Sequence, residues 1–425
     1  MSRKAVSFKA APGTRDVLPP ESERRIELAR VFADTAGQFG FAPLETPTFE
    51  DVGVFQRIGE GTDVVGKEMY EFTDRGDRRL ALRPEGTAPV CRAFAQHRPP
   101  TPWKVWYQAP MFRYERHQAA RYRQHTQVGA EVLGSEDPDV DVEVMALAHA
   151  VLQRIGLTRV LLLVNSMGGP ETRRAYAAAL QRYLSDHIGE LAAEDRDRVE
   201  SHPLRVLDSK RPESYQVCRD APHPADYLDA TGHAHFERVQ DGLGSLKIPF
   251  AIEPRLVRGL DYYTHTTFEF EASALDAAQN TVCGGGRYDG LVEDLGGPPT
   301  PGMGFGMGVE RVLLACDAES TFVVAGRQPL VWVVDVTDGA AARDLTLEMR
   351  RAGIAADRSF DHRSMRSQMK AADRSGARWA VIIGDKELLD GTVALRDLRA
   401  ATHQETVARE RLVEVLAARS QSEPQ

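Results

Sequence analysis

Four side chains able to do chemistry fall within six consecutive residues of the stretch VRGLDYYTHTTFEF, residues 257–270: Arg258, Asp261, Tyr262 and Tyr263. Arg258 is a cationic fork beside Gly259, a residue free to take positive φ, so the pair can grip a small anion at the entrance of a strand. The other reading is an edge strand whose tyrosines pack a sheet and whose Arg258 pairs with Asp261; this segment alone does not choose between them. From Tyr262 onward, Tyr262, Thr264, Thr266, Phe268 and Phe270 alternate with Tyr263, His265, Thr267 and Glu269, which is the period of a strand.

A second cluster is FRYERHQAARYRQHTQVGAE, residues 112–131, with Arg113, Arg116, Arg121 and Arg123 close to Glu115, Gln124, Gln127 and Glu131. Guanidinium groups match phosphate or carboxylate bidentately, and the alternative is a run of arginines facing water. Alternation favours the binding reading, because Gln127, Gly129 and Glu131 share one strand face and Val128, Ala130 and Val132 the other. Two polar side chains and a glycine suit the floor of a polar pocket.

In LRPEGTAPVCRAF, residues 82–94, Glu85 and Thr87 precede a helix, where they can hold an ammonium group or simply cap the helix. The glycine-rich runs CGGGRYDGL (283–291) and PGMGFGMGVERV (301–312) match neither the dinucleotide fingerprint nor the phosphate-loop pattern. Glycines 302, 304, 306 and 308 instead strip one strand face, so that a flat ligand ring or a backbone can lie close, or the strands can simply pack tightly. Arg311 follows at a helix start, placed for a phosphate or a base. No nucleophile triad or H-E-x-x-H spacing stands out among the 12 histidines. The chemistry indicated is orientation of two substrates and neutralisation of charge, as in attack at a nucleotide phosphate.

The elements that must carry these groups follow from periodicity. Residues 21–39 form an amphipathic helix with Ile26, Ala29, Phe32, Ala36 and Phe39 on one face, closed by Gly40. The proline-marked segment FAPLETPTFE after it reads as an edge, and helix plus edge as a subunit interface. Strand-like runs at 80–82, 105–107, 127–133, 160–164, 264–270 and 304–308 are separated more often by turns than by regular helices, which favours a mixed, largely antiparallel sheet. Residues 166–245 are helical and charged and look inserted. After about residue 326 the order becomes βαβαβ, with apolar faces at Ala342, Leu345, Met349 and Ala352 and at Met365, Met369 and Ala372. A hairpin-like stretch follows at Asp390 and Gly391, and a final helix over 407–418.

Length and composition bound the class. The 425 residues suggest two or three domains; 42% hydrophobic and 27% charged content is that of a soluble globular chain, and no apolar run spans a bilayer. A start lacking a secretory centre predicts a cytoplasmic protein. Four scattered cysteines (Cys91, Cys218, Cys283, Cys316) form no zinc or disulfide pattern. Net charge of −9 opposes wholesale coating of nucleic acid, yet eight Lys/Arg against three acidic residues between positions 350 and 378 make a local basic run.

Taken together, these segments resemble the class II aminoacyl-tRNA synthetases, and within them the histidyl-tRNA synthetases, over nearly the whole chain. TPTFE resembles motif 1 of the class, FRYER with the downstream RYRQ motif 2, and GFGMGVERV motif 3. LRPEGTA and RGLDYYT are similar to the histidine-specific signatures, and GGGRYDGL and the domain after Gly326, similar to the anticodon-binding domain of this family, add support from independent positions. The resemblance implies an α/β fold with an α+β catalytic core: an antiparallel sheet flanked by helices, a helical insertion and a C-terminal βαβ anticodon-binding domain. The expected domains are 1–165 and 246–325 for the core, 166–245 for the insertion and 326–425 for the anticodon-binding domain. It implies ATP-dependent activation of L-histidine to histidyl-adenylate and transfer to tRNA(His), with Mg2+ carried by ATP, in a homodimer without membrane attachment. In that reading Glu85 and Thr87 bind the α-amino group, and Gln127, Glu131, Tyr262 and Tyr263 line the amino-acid pocket. Arg113 bridges carboxylate and α-phosphate, Glu115 meets adenine, Arg121 and Arg311 the outer phosphates, and Arg258 stabilises the α-phosphate during attack. His117 and Ala120 stand where the family more often has Pro and Gly, and HTQ replaces an aromatic-His-Gln, so the motif 2 loop is expected to contact ATP or the acceptor end differently. The rival reading is a non-catalytic histidine-sensing regulatory subunit of ATP phosphoribosyltransferase, a type that usually lacks RGLDYYT and the anticodon-binding domain.

Overall fold

The computed structural model describes residues 8–57, 63–115, 121–207, 209, 211–257, 262–276, 279–326, 328–400 and 404–421. The chain divides into two compact units, Met1–Val324 and Ala325–Gln425.

In the first unit the strands follow as β1 (Ala42–Pro43), β2 (Phe49–Asp51), β3 (Tyr70–Thr73), β4 (Arg79–Leu82), β5 (Trp103–Phe112) and β6 (Gln124–Leu133). They continue as β7 (Val160–Ser166), β8 (Phe250–Ile252), β9 (Thr264–Ala272), β10 (Thr281–Arg287) and β11 (Gly302–Gly308). Eight of them form one sheet in the order β1-β5-β6-β11-β10-β9-β7-β8, antiparallel except for β1 and β8, which add in parallel at its two edges. A small antiparallel sheet, β2-β4-β3, stands beside it. All six strand-like runs read from the sequence are strands. The pairs β5–β6 and β9–β10 are antiparallel because their connections are too short for the crossover a parallel pair needs.

The sheet has two unlike faces. Val128, Ala130, Val132, Phe268, Phe270, Met303, Phe305 and Met307 point into a core shared with the helices Glu21–Gln38, Pro138–Arg154 and Val309–Glu319, through Leu28, Phe32, Met145, Leu152 and Val312. Truncating a buried phenylalanine here, such as Phe305, should cost about 3–5 kcal/mol. The alternating partners Gln127, Gly129, Glu131 and the β11 glycines therefore lie on the opposite face.

Two details differ from the sequence reading. The buried stripe of the first helix is Leu28, Val31, Phe32, Thr35 and Ala36, while Ile26 is 65% exposed; Phe32 and Ala36 belong to the expected face, but its start was placed wrongly. The alternation from Tyr262 is also broken, because β9 begins at Thr264, His265 takes φ 44° and the β9–β10 register shifts between Gly286 and Arg287. The two tyrosines thus sit ahead of the strand, out of phase with Phe268 and Phe270.

Between β7 and β8 the chain is helical. Tyr176, Leu180, Leu184, Val206 and Val217 make a small core of their own, whereas the last helix, Ala230–Ser245, buries Phe236, Val239 and Leu243 in the main core.

The second unit is built from β12 (Val331–Asp335), β13 (Ala356–Arg358), β14 (Trp379–Ile383), β15 (Thr392–Asp397) and β16 (Gln404–Ala408), in the order β13-β12-β14-β15-β16. The first three are parallel and the last two antiparallel. Ala342, Leu345 and Met349 of the helix Ala340–Arg351 pack on Val331, Val333 and Val381, as the apolar period requires, whereas Ala352, expected on the same face, caps the helix and is exposed. Asp390 and Gly391 are not a hairpin: Gly391, at φ 63°, terminates the short helix Asp385–Asp390. The final helix starts only at Leu412, because residues 404–408 pair with β15.

Candidate active site

The polar face of the large sheet, between β6, β10 and β11, carries a cleft of about 900 Å3, open solvent at its mouth included. Glu85, Thr87, Gln127, Tyr262 and Tyr263 line it towards one end, and Arg113, Glu115, Arg121, Tyr122, His125, Glu310 and Arg311 towards the other. Glu131 stands just behind the first group.

Glu85 lies at the start of the helix Thr87–His97, and its two oxygens accept from Thr87 N at 2.7 Å and Ala88 N at 2.8 Å. It is therefore a helix cap, as the plainer reading allowed. A carboxylate has about four acceptor sites, so two remain for a cation in the cleft. Burial raises its pKa from the ordinary carboxylate value, partly offset by those amides. Thr87 Oγ1 donates to Glu131 Oε1 at 2.8 Å, and Tyr288 donates to Glu131 Oε2 at 2.5 Å. Glu131 is fully buried, and that desolvation pushes its pKa up to about 8, against the pull of the two hydroxyls.

The glycines explain how this fits. A Cβ on Gly304 would stand 1.6 Å from Glu131 Oε2, and one on Gly306 would stand 1.6 Å from Gln127 Nε2. The bare strand face thus packs tightly against polar side chains of β6, the plainer of the two expected uses of those glycines, while Gly306 and Gly308 also border the cleft. Gly86 and Gly129 likewise clear the ring of Tyr107, and Gly286 clears that of Tyr263. Tyr262 packs against Tyr263 at 4.6 Å between centroids with the rings tilted by 44°, and meets Tyr288 edge-on at 5.8 Å.

At the other end three guanidinium groups surround one carboxylate. Arg113 Nη1 and Arg121 Nε lie 3.8 and 3.7 Å from the oxygens of Glu115, too far for direct hydrogen bonds. Arg113 is oriented by Nε donating to Pro84 O at 2.8 Å, and Arg311 by Nη1 donating to Thr281 O at 3.1 Å. Burial, and then the charge of Arg121, lower the pKa of Arg311. His125 is driven down to about 3 by burial and by Arg113 and Arg311, so it presents a neutral ring. Such a cleft can hold an ammonium and a hydrogen-bonding side chain at one end and a polyanion at the other.

Of the eleven residues singled out, ten are described, and nine of those line the cleft, with Glu131 bonded to one of them. Arg258, with Gly259 and Asp261, and the loop positions Arg116, His117 and Ala120 lie outside the described residues. Sequence reasoning missed Tyr288, His125 and Glu310 as parts of the site. It also missed Arg83, whose buried guanidinium donates to Pro110 O and Thr46 O, each at 2.9 Å, and so fixes the TPTFE segment to β5.

An antiparallel sheet whose glycine-bared face holds a two-ended polar cleft, followed by a separate α/β unit, defines the class II aminoacyl-tRNA synthetases. Residues 13–312 match the model of the histidyl-tRNA synthetase family, and residues 330–419 match that of an anticodon binding domain. The chain belongs to the histidyl-tRNA synthetase family. It is 46% identical over 404 residues to a histidine–tRNA ligase of Geobacillus thermodenitrificans, covering 92% of this chain and 94% of that one. A histidine–tRNA ligase of Listeria monocytogenes is 42% identical over 413 residues, covering 95% and 97%. The crystal structure of apo S. aureus histidyl-tRNA synthetase superposes with a TM-score of 0.81 at 35% identity, covering 96% of this chain and all of that one.

Proposed function

We propose that this protein ligates L-histidine to tRNA(His) at the expense of ATP, through a histidyl-adenylate. The observation that carries the reading is the meeting of the two ends at Arg113: an acidic, hydroxyl-rich pocket on one side and three arginines on the other. A carboxylate oxygen of histidine attacks the α-phosphorus of ATP, and pyrophosphate leaves with the electron pair of the broken P–O bond. A ribose hydroxyl at the tRNA terminus then attacks the activated carbonyl and releases AMP. Both reactants of the first step are anions, so guanidinium groups between them remove a repulsion that opposes approach and stabilise the added charge of the pentacoordinate phosphorus.

In this reading Glu85 and Thr87 take the α-amino group, and Gln127, Glu131, Tyr262 and Tyr263 the rest of histidine. Arg113 spans carboxylate and α-phosphate, Glu115 meets adenine, and Arg121 and Arg311 meet the outer phosphates. Arg258 is assigned to the α-phosphate on its place in RGLDYYT. Mg2+ is proposed as the counterion that ATP brings; among the described residues no group of three His, Cys, Asp or Glu is placed to hold a resident ion. The expected division into a core at 1–165 and 246–325, an insertion at 166–245 and an anticodon-binding domain at 326–425 belongs to the same proposal.

We further propose a homodimer. Leu18, Ile26, Phe49 and Phe72 expose large apolar side chains, and Phe49 and Phe72 meet edge to face at 6.0 Å. Sedimentation at micromolar concentration should show the dimer mass. Among the described residues no helix is long and apolar enough to cross a membrane, which fits the proposed cytoplasmic setting.

Histidine-dependent exchange of pyrophosphate into ATP, with the other amino acids as controls, tests the reading. Exchange with histidine alone is expected. No exchange from a folded protein that binds histidine would favour the regulatory-subunit reading, against which the matched anticodon binding domain stands.

A further inference from the structure

One run of contacts outside the cleft ties the N-terminal segment to its cationic end. Gly13, at φ 80°, accepts from Arg123 N at 2.8 Å, and a Cβ there would meet Arg123 Cδ at 2.6 Å, so the segment lies flush on that side chain. Arg15 sits 4.9 Å from the ring centroid of Tyr122 and forks onto both oxygens of Glu21, one at 2.6 Å. Glu21, in the first turn of the helix Glu21–Gln38, also accepts from Arg25 Nε at 3.1 Å. Arg25 Nη2 in turn lies 3.0 Å from Glu310 Oε1, and both oxygens of Glu310 accept from Thr126 N, at 3.0 and 3.1 Å. Tyr122 and Glu310 both line the cleft. Residues 122–126 are therefore held at both ends by the same stretch of chain.

Energetics say what this is for. Arg15 and Glu21 each keep 34% of their side-chain surface in water, and such pairs add little to stability. Cation and ring together, however, fix a direction for Tyr122, beside Arg121 at the mouth of the cleft.

We infer that residues 13–25 are a strap that positions the nucleotide end of the cleft, with Arg15 a positioning residue for ATP. The inference rests on the reading that the three arginines receive ATP. Calorimetric titration of the full-length protein with ATP, and separately with histidine, tests it. Arg15→Ala should weaken ATP binding roughly 3- to 10-fold, leave histidine affinity within about twofold and leave the Tm within about 1 °C. Arg15→Lys, which keeps a cation over the ring, should recover about half of the loss. Tyr122→Leu should reproduce the loss, and combining it with Arg15→Ala should add little. Unchanged ATP affinity in Arg15→Ala would overturn the strap while leaving the ligase reading intact, as would equal losses for both ligands with a fallen Tm. A wild-type protein that binds no ATP would overturn both.

Discussion

The two ends of the cleft are built to different standards of completion. At the end proposed for histidine each carboxylate already has partners at 2.5–2.8 Å: Glu85 has two amides, and Glu131 has the hydroxyls of Thr87 and Tyr288. At the end proposed for ATP, Arg113 and Arg121 face Glu115 across 3.7–3.8 Å, and Arg113 and Arg311 are each oriented by a single backbone carbonyl. The first end is preorganised, so its affinity loses little to side-chain ordering. The second holds three guanidinium groups against the carboxylate of Glu115, and the like-charge repulsion that remains would be relieved by an entering polyanion.

The comparison breaks most sharply at Gly304. Gly304→Val would drive its Cβ into the Glu131 carboxylate, which must leave its seat, and towards the backbone oxygen of Ala130, 2.7 Å away, which cannot yield. Histidine affinity should fall by at least about 100-fold while ATP affinity changes by less than about threefold; calorimetry reads both, and parallel losses would show that the ends are not independent. Next comes Arg113→Ala, which removes the group shared by both ends. Single-turnover adenylate formation should slow by about 10²–10³-fold, and because the same guanidinium is assigned to the histidine carboxylate, histidine affinity should fall with it by roughly tenfold. Arg121→Ala, lost from the open end alone, should raise the KM for ATP about tenfold and leave that for histidine unchanged.

The smallest effect is a pH dependence. Glu131 has its folded pKa raised to about 8 from an ordinary value of 4.5, so the folded state binds the extra proton between these limits. Stability from this group is present at low pH and is lost as pH rises through that window. Glu131→Gln cannot ionise, so its Tm relative to wild type should climb by about 3 °C between pH 5 and pH 8.5. A constant difference in scanning calorimetry would mean that the carboxylate is not held in a desolvated pocket.

Much of the site was legible because it obeys a period of two. Gln127, Gly129 and Glu131 share one face of β6, where Gln127 lines the cleft, and Val128, Ala130 and Val132 enter the core on the other, as their alternation implies. What was hidden depends on partners far away in sequence. Tyr288 meets Glu131 across 157 positions, and Glu310 meets Thr126 across 184, distances at which no local pattern carries a signal. The glycines showed only that room was needed; what fills it is the neighbouring strand. The break at His265 was invisible for the opposite reason, since THTTFEF alternates without interruption in sequence while the backbone inserts a bulge. In the second unit, Asp390-Gly391 has the composition of a hairpin turn, yet β14 and β15 are joined through a helix that the dipeptide merely ends.

The seat of Glu131 has a consequence for proofreading. With Glu131 in its proposed place against the histidine side chain, an amino acid of similar bulk but without a donor there would leave a sealed carboxyl group one hydrogen bond short, and a site that loses a buried hydrogen bond in this way can reject such a competitor by about 10⁴-fold or more. Selectivity would then reside in the penalty imposed on the wrong guest, and hydrolytic correction of mischarged product would have little left to correct.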